Sequence, residues 1–193
     1  MGGEAEARPL RYAGRAGAEV KSKVPKTKVR HPKSQVHPAV FIALGSNLGD
    51  ARANILRAIE RLQQFSASLL VSSSLYQTTP VDCPPGSPMF LNAVVGLVPK
   101  AGMTPESLLV QLQALEKEFG RKPKKIMNEP RPLDLDLIAF GKEMRATTAL
   151  TLPHPRAHER RFVLKPLSEI ASDLILPGQS KTVNELLSQL PEW

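Results

Sequence analysis

Only one of the 193 residues is a cysteine, Cys83, so no internal disulfide and no multi-cysteine zinc site can form, and the chain suits a reducing compartment. No apolar run approaches the roughly 18 residues of a membrane span. The N-terminal stretch lacks the apolar h-region of a secretory signal. The expectation is therefore a cytoplasmic protein that neither enters a membrane nor is exported. Aromatic residues make up only 5% of the chain, and no RNP-like run of base-stacking aromatics is found on its candidate strands. Two phosphate-binding signatures are also missing: neither G-x-x-x-x-G-K-[ST] nor G-x-G-x-x-G occurs. Nor is there a repeat at a solenoid period. What remains is 41% apolar and 23% charged residues, enough for a core and a surface in one domain.

The chain is basic, with a net charge of +8, which by itself points toward nucleic acid, anionic lipid or phosphorylated ligands. The charge is unevenly placed. Nine Lys or Arg against Glu4, Glu6 and Glu19 put six of the eight positive charges in residues 1–38. That stretch has few large apolar side chains and is broken by Pro9, Pro25, Pro32 and Pro38, so it cannot bury enough surface to offset ordering entropy. Residues 1–37 are expected to be a disordered basic tail and residues 38–193 the folded domain. A mitochondrial presequence fits poorly, because Glu4 and Glu6 are out of place in an acid-poor amphipathic helix.

From Val40 the pattern becomes that of a folded domain. Val40 to Leu44 is a short apolar run closed by Gly45-Ser46-Asn47, a buried strand entering a turn. Ile55, Leu56, Ile59 and Leu62 recur at helical spacing. Leu69–Tyr76 and Phe90–Val98 are β-rich runs joined by a long proline-bearing loop, which predicts antiparallel strands. Thr104-Pro105-Glu106 supplies an N-cap, a first-turn proline and an early acid for a helix with Leu108, Leu112, Leu115 and Phe119 on one stripe. A basic loop spans Arg121–Pro132, and Leu133–Phe140 is the next strand. Helices are expected over Phe162–Ala171 and Thr182–Leu190, the latter opened by a capping box at Thr182-Val183-Asn184-Glu185. The order β-α-β-β-α-β followed by helices predicts an α+β, ferredoxin-like plan: a mainly antiparallel sheet packed with helices.

The strongest chemical signal is Arg131-Pro132-Leu133-Asp134-Leu135-Asp136-Leu137. On a strand, Asp134 and Asp136 share one face while the three leucines share the other. Two like charges on one face call for a compensating cation. Magnesium takes carboxylate oxygens together with waters and substrate phosphates. The alternative is one solvated aspartate and one paired with a nearby base, and this segment alone leaves both open. Bases gather on either side: Arg121, Lys122, Lys124, Lys125 and Arg131 before the pair, His154, Arg156, His158, Arg160 and Arg161 after it. Metal-holding acids between two basic groups describe a nucleoside triphosphate site without a P-loop.

Several ordered motifs carry a family resemblance. They are Ala43-Leu44-Gly45-Ser46-Asn47-Leu48-Gly49-Asp50, Ser73-Ser74-Leu75-Tyr76-Gln77-Thr78-Thr79-Pro80, Phe90-Leu91-Asn92-Ala93, Glu116 ahead of Gly120-Arg121, Pro130-Arg131-Pro132-Leu133-Asp134-Leu135-Asp136, and Leu152-Pro153-His154 with Arg160 and Phe162. In this order and spacing, from about Val40 to Trp193, the chain resembles the 6-hydroxymethyl-7,8-dihydropterin pyrophosphokinases of folate biosynthesis. The resemblance implies that Asp134 and Asp136 hold two Mg2+ ions and that Arg121 and Arg131 bind phosphates. It implies further that Glu116, Thr151, His154 and Arg160 line the ATP site. The pterin would lie between Phe90 and Phe162, read at its edge by Asn92 and the backbone of Thr78, Thr79, Pro80 and Val81. Without the resemblance, Phe90 and Phe162 read as ordinary core. Asn47 reads equally as a helix N-cap or a substrate contact.

The implied partners are ATP and the pterin alcohol, with no membrane, no nucleic acid and no obligate protein partner. The implied reaction is diphosphate transfer from ATP with release of AMP. The loops Gln77–Met89 and Lys122–Glu129 have the length and polarity of lids. One departure stands out: Met127, Asn128 and Glu129 occupy positions where the family has a basic residue, a Trp and a small residue. Two other readings accompany this one, a ferredoxin-like nucleic-acid-binding module with a basic arm and a degenerate paralogue that binds nucleotide without transferring diphosphate.

Overall fold

The computed structural model describes residues 39–123 and 128–192. The expected basic tail, and Lys124, Lys125 and Met127 of the basic loop, lie outside them. Strand β1 (Val40–Ser46) leads into α1 (Ala51–Leu62), then β2 (Val71–Ser72), β3 (Tyr76–Thr78), β4 (Phe90–Leu97), α2 (Pro105–Glu118), β5 (Asp134–Phe140), the short pair β6 (Arg145–Ala146) and β7 (Thr151–Leu152), α3 (Arg161–Ala171) and α4 (Val183–Ser188). In the main sheet β4 lies between β1 and the β2/β3 segments, and β5 flanks β1 on the other side. All pairings are antiparallel. This is the split β-α-β arrangement expected from the element order.

Alternation along the strands explains the layers. Val40, Ile42 and Leu44 of β1, Ala93, Val95 and Leu97 of β4, and Leu135 and Leu137 of β5 pack with Ile55, Ala58, Leu62, Leu108, Leu112 and Leu115 from α1 and α2. Phe41, Val94 and Ile138 face the opposite side and pack with Val163, Leu164 and Leu167 of α3 and Val183, Leu186 and Leu187 of α4. Both faces of the central strands are therefore buried, which is why β1 reads as a continuous apolar run. On α1 the expected stripe shifts: Leu56 is exposed and Ala58 takes the core position. Thr104 caps α2 in a box with Ser107, and Thr182 caps α4 in a box with Glu185.

The run expected as one strand over Leu69–Tyr76 is two short strands. Ser72 pairs with Val95 while Tyr76 pairs with Asn92, so Ser73–Leu75 contain one residue more than the partner strand, a bulge. Ser73 bridges the break: its N–H donates to the Val94 carbonyl at 2.9 Å, and its Oγ accepts from the Val94 N–H at 2.9 Å. A side-chain hydroxyl thus replaces a ladder carbonyl. Ser73→Ala is expected to leave the buried Val94 N–H without that partner and lower the unfolding free energy by about 1–3 kcal/mol. Urea denaturation checks it; a loss below ~0.5 kcal/mol would show that the hydroxyl is dispensable.

Candidate active site

Helices α3 and α4 cover only part of the sheet face they pack on. At the Gly45 end of β1 that face is open, and it forms the floor of a cleft lined by Ala43 and Gly45 from β1, Phe90 and Asn92 from β4, and Asp134 and Asp136 from β5. The walls are Thr78, Thr79 and Val81 from one loop, Asn128 and Arg131 from another, and Arg160 and Phe162 at the start of α3. Because Leu133, Leu135 and Leu137 are locked into the core on the other face, the alternation of β5 turns both aspartates toward the cleft. Gly45 is needed for close approach: a Cβ there would lie 3.3 Å from Asn92 Oδ1 and 3.8 Å from Asp134 Cβ.

The charges form a connected chain. Arg121 Nη1 contacts Glu116 Oε1 and lies 2.6 Å from Asp134 Oδ1, while Arg131 Nη2 lies 2.8 Å from Asp134 Oδ2. Glu116, buried on α2, also accepts from the Leu135 N–H at 2.8 Å, filling a backbone donor on the outermost strand. Burial pushes the Glu116 carboxyl up to about 7; the Leu135 N–H and Arg121 pull the other way but are outweighed. Burial, reinforced by Asp134, also raises Asp136, while His154, Arg160 and Arg131 oppose that shift. His154 is lowered mainly by burial and is pulled up by Asp136, so the two residues feel each other's charge. The guanidinium of Arg131 sits 5.4 Å from the centre of the Phe90 ring, and that of Arg160 sits 5.4 Å from Phe162. Both rings therefore face cations at the cleft rather than lying wholly in the core.

Most residues singled out from sequence meet here. Arg131, Asp134, Asp136, Arg160, Thr78, Thr79, Val81, Phe90, Asn92 and Phe162 line the cleft. Arg121 lines a second depression that shares Arg131 with the first. Pro80 is not among the lining residues, and Thr151 is exposed on β7, paired with Ala146. The N-cap reading of Asn47 gives way: the helix is capped by Asp50, whose side chain accepts from the Ala53 N–H at 2.9 Å. Sequence reasoning did not place Ala43, Gly45, Asp82, Cys83 or Asn128 in the cleft wall. A glycine closing an apolar run was the available signal for Gly45; Asp82, Cys83 and Asn128 were signalled only as members of the two loops expected as lids.

Asn128, which stands where the resemblance implied a Trp, donates through Nδ2 to the Asp82 carbonyl at 2.7 Å. Both residues have positive φ, 55° and 53°. The two loops expected as lids therefore meet across the mouth of the cleft.

A family model described as 7,8-dihydro-6-hydroxymethylpterin-pyrophosphokinase (HPPK) matches residues 41–172. The chain belongs to this family. Its relatives include the 2-amino-4-hydroxy-6-hydroxymethyldihydropteridine pyrophosphokinase of Haemophilus influenzae, 39% identical over 79% of this chain and 92% of that protein. The Folic acid synthesis protein of Pneumocystis carinii is 41% identical over 77% of this chain but only 20% of its own length. The solved structure of Plasmodium falciparum HPPK-DHPS, wild type with pteroate, superposes with a TM-score of 0.60 over 78% of this chain and 42% of that one, at 13% identity. That likeness is one of fold. The chain therefore corresponds to nearly a whole bacterial family member and to less than half of the longer proteins.

The Glu116 environment makes a measurable statement. Folding raises this carboxyl from 4.5 to about 7, so the folded protein keeps the proton to higher pH than the unfolded chain. The resulting stabilisation is full below about 4.5 and is lost as pH rises through 7, on the order of 3 kcal/mol in total. The stability of the wild type relative to Glu116→Gln should fall across that window in urea unfolding. A difference that stays flat from pH 4.5 to 8 would show that folding leaves the Glu116 carboxyl unshifted.

Proposed function

We propose that the chain transfers diphosphate from ATP to 6-hydroxymethyl-7,8-dihydropterin, giving AMP and the pterin diphosphate, with residues 38–193 as the catalytic unit. The observation that supports this most is the pairing of Asp134 and Asp136 on the open floor of a cleft whose walls combine two aromatic rings with Arg131 and Arg160. Family membership supplies the substrates; the cleft supplies chemistry to match them.

The donor set fits magnesium. Asp136 is a buried carboxylate disfavoured in its charged form, which a divalent cation would reverse. Among the described residues there is no cluster of three or more metal-ligating side chains. Magnesium commonly takes one or two carboxylates and completes its shell with water and substrate phosphates. Asp134 and Asp136 would hold the ions, two on the family's pattern. When bound they would supply charge neutralisation on the phosphates and a lowered pKa for the attacking hydroxyl.

The protein's own residues position the reactants. Arg121 and Arg131, now held by Asp134, have guanidinium forks suited to phosphate oxygens. Arg160 supplies positive potential beside Asp136, and His154, its charged form disfavoured by burial, stands next to it as a polar neighbour. Phe90 and Phe162 offer apolar faces to a flat heterocycle, and Asn92, fixed by donating to Thr78 Oγ1 at 2.8 Å, keeps its Oδ1 for the ring edge. Thr79 and Val81 close the side of the cleft. With the pterin hydroxymethyl oxygen in line with the β-phosphorus, most of the rate enhancement comes from orientation and electrostatics.

Release of AMP from ATP should require both the pterin alcohol and Mg2+, each omitted in turn; AMP release independent of pterin, or none at all, would overturn the reading. Asp136→Ala should lose turnover by about three orders of magnitude or more with its circular dichroism unchanged, as removal of a principal charge-stabilising group does. A loss under tenfold would remove Asp136 from the metal site. Deletion of residues 1–37 should leave kcat and both KM values within about twofold, scatter too small to signal a lost contact.

A further inference from the structure

We infer that Asn47 is a positioning residue that sets Arg131 and the end of the 77–89 loop in one geometry; its catalytic meaning rests on the proposed diphosphate transfer. Asn47 is buried, at 4% exposure, and lines neither depression of the site, so it does not face a substrate. It does not cap α1, because Asp50 does. A buried side-chain amide is retained only where its polar groups are satisfied, and each of those of Asn47 reaches a different part of the site.

The backbone N–H of Asn47 donates to the Arg131 carbonyl at 3.2 Å, and its Oδ1 accepts from the Arg131 N–H at 2.8 Å. Both main-chain groups of Arg131 are thus held by one residue 84 positions earlier. Its Nδ2 donates to the Pro88 carbonyl at 3.3 Å, two residues before Phe90. The Arg131 guanidinium then lies against the Phe90 ring and pairs with Asp134 Oδ2. Asn47 therefore fixes the backbone on both sides of the Arg131–Phe90 contact. If Arg131 leaves Asp134 for a phosphate, its Cα stays in place and only the side chain moves. Such anchoring reduces the ordering cost of binding.

The test compares Asn47→Ala with Asn54→Ala in the full chain. Asn54 supports the same turn, donating to the Leu48 carbonyl at 3.1 Å, but touches neither Arg131 nor Pro88, so it reports what a merely structural loss does. The probes are the Mg2+ complex of a non-hydrolysable ATP analogue, for affinity, and steady-state kinetics with ATP and pterin. Asn47→Ala should weaken the analogue by about tenfold and raise the KM for ATP in step, as expected for losing the hydrogen bonds that seat its arginine. Asn54→Ala should stay within about twofold even at an equal drop in Tm. Equal effects of the two variants, or no change for Asn47→Ala, would overturn the inference. Should Asn47→Ala not fold, amide exchange in the wild type decides: the Arg131 N–H must be protected like those of β5, and loop-like exchange would sink the idea. If the wild type binds the analogue but releases no AMP with pterin, the functional reading fails while the affinity comparison still judges Asn47.

Discussion

The site depends on how Asp134 is held. Its two oxygens go to different arginines, Oδ1 to Arg121 and Oδ2 to Arg131, and Arg121 in turn reaches Glu116 on α2. Helix α2, strand β5 and the loop between them are therefore joined through charge as well as apolar packing. Removing one member would strand a buried charge, which costs far more than the pair gains over an apolar substitute. Asp134 pairs with both Arg121 and Arg131, Glu116 adds its charge to Arg121 only as pH rises through about 7, and Asp136 stands apart beside Arg160 and His154. A ligand bringing several negative charges would compete with Asp134 for its arginines. On the proposed function, a divalent cation would hold the acids that the phosphates displace.

Much of this arrangement was legible in the sequence because it follows from local rules. The Leu-Asp-Leu-Asp-Leu alternation placed both aspartates on one face, and Thr104 and Thr182 announced their helix starts. The run from Val40 to Leu44 announced a strand buried on both sides. What was hidden depends on partners distant in sequence. Nothing between Leu69 and Tyr76 shows that Ser73 will give its hydroxyl to Val94 and split the strand. Asn47 lay at a plausible cap position, but the contacts that decide its role come from Pro88 and Arg131. Thr151 was named only through the resemblance, and nothing near it in sequence announces the pairing of its short strand with β6.

The cleft itself results from incomplete coverage. The ends of β1, β4 and β5 that carry Gly45, Asn92 and Asp134 extend beyond the reach of α3, while the other face is sealed by α1 and α2 throughout. Each strand can therefore carry polar side chains at this end and apolar ones in its middle without losing the core beneath. Phe162 and Arg160 stand at the N-terminal edge of α3, where the helix stops covering the sheet. Core and site are then two lengths of the same strands, so a change in either is felt through backbone shared by both.

At the mouth of the cleft a single polar side chain links two loops. Where the resemblance implied a Trp, Asn128 makes one hydrogen bond to the Asp82 backbone, near an ion pair between Asp82 and Arg156 stretched to 3.9 Å. A single hydrogen bond of this kind nets about 0.5–1.5 kcal/mol, and an exposed ion pair at that distance adds little. An aromatic in its place would bury apolar area against a bound heterocycle and so act after binding. Asn128 acts on the neighbouring loop whether or not a ligand is present. The restraint between these two residues is therefore small. On the proposed function, closure over the reactants would draw its energy from the phosphates and the rings that the cleft receives.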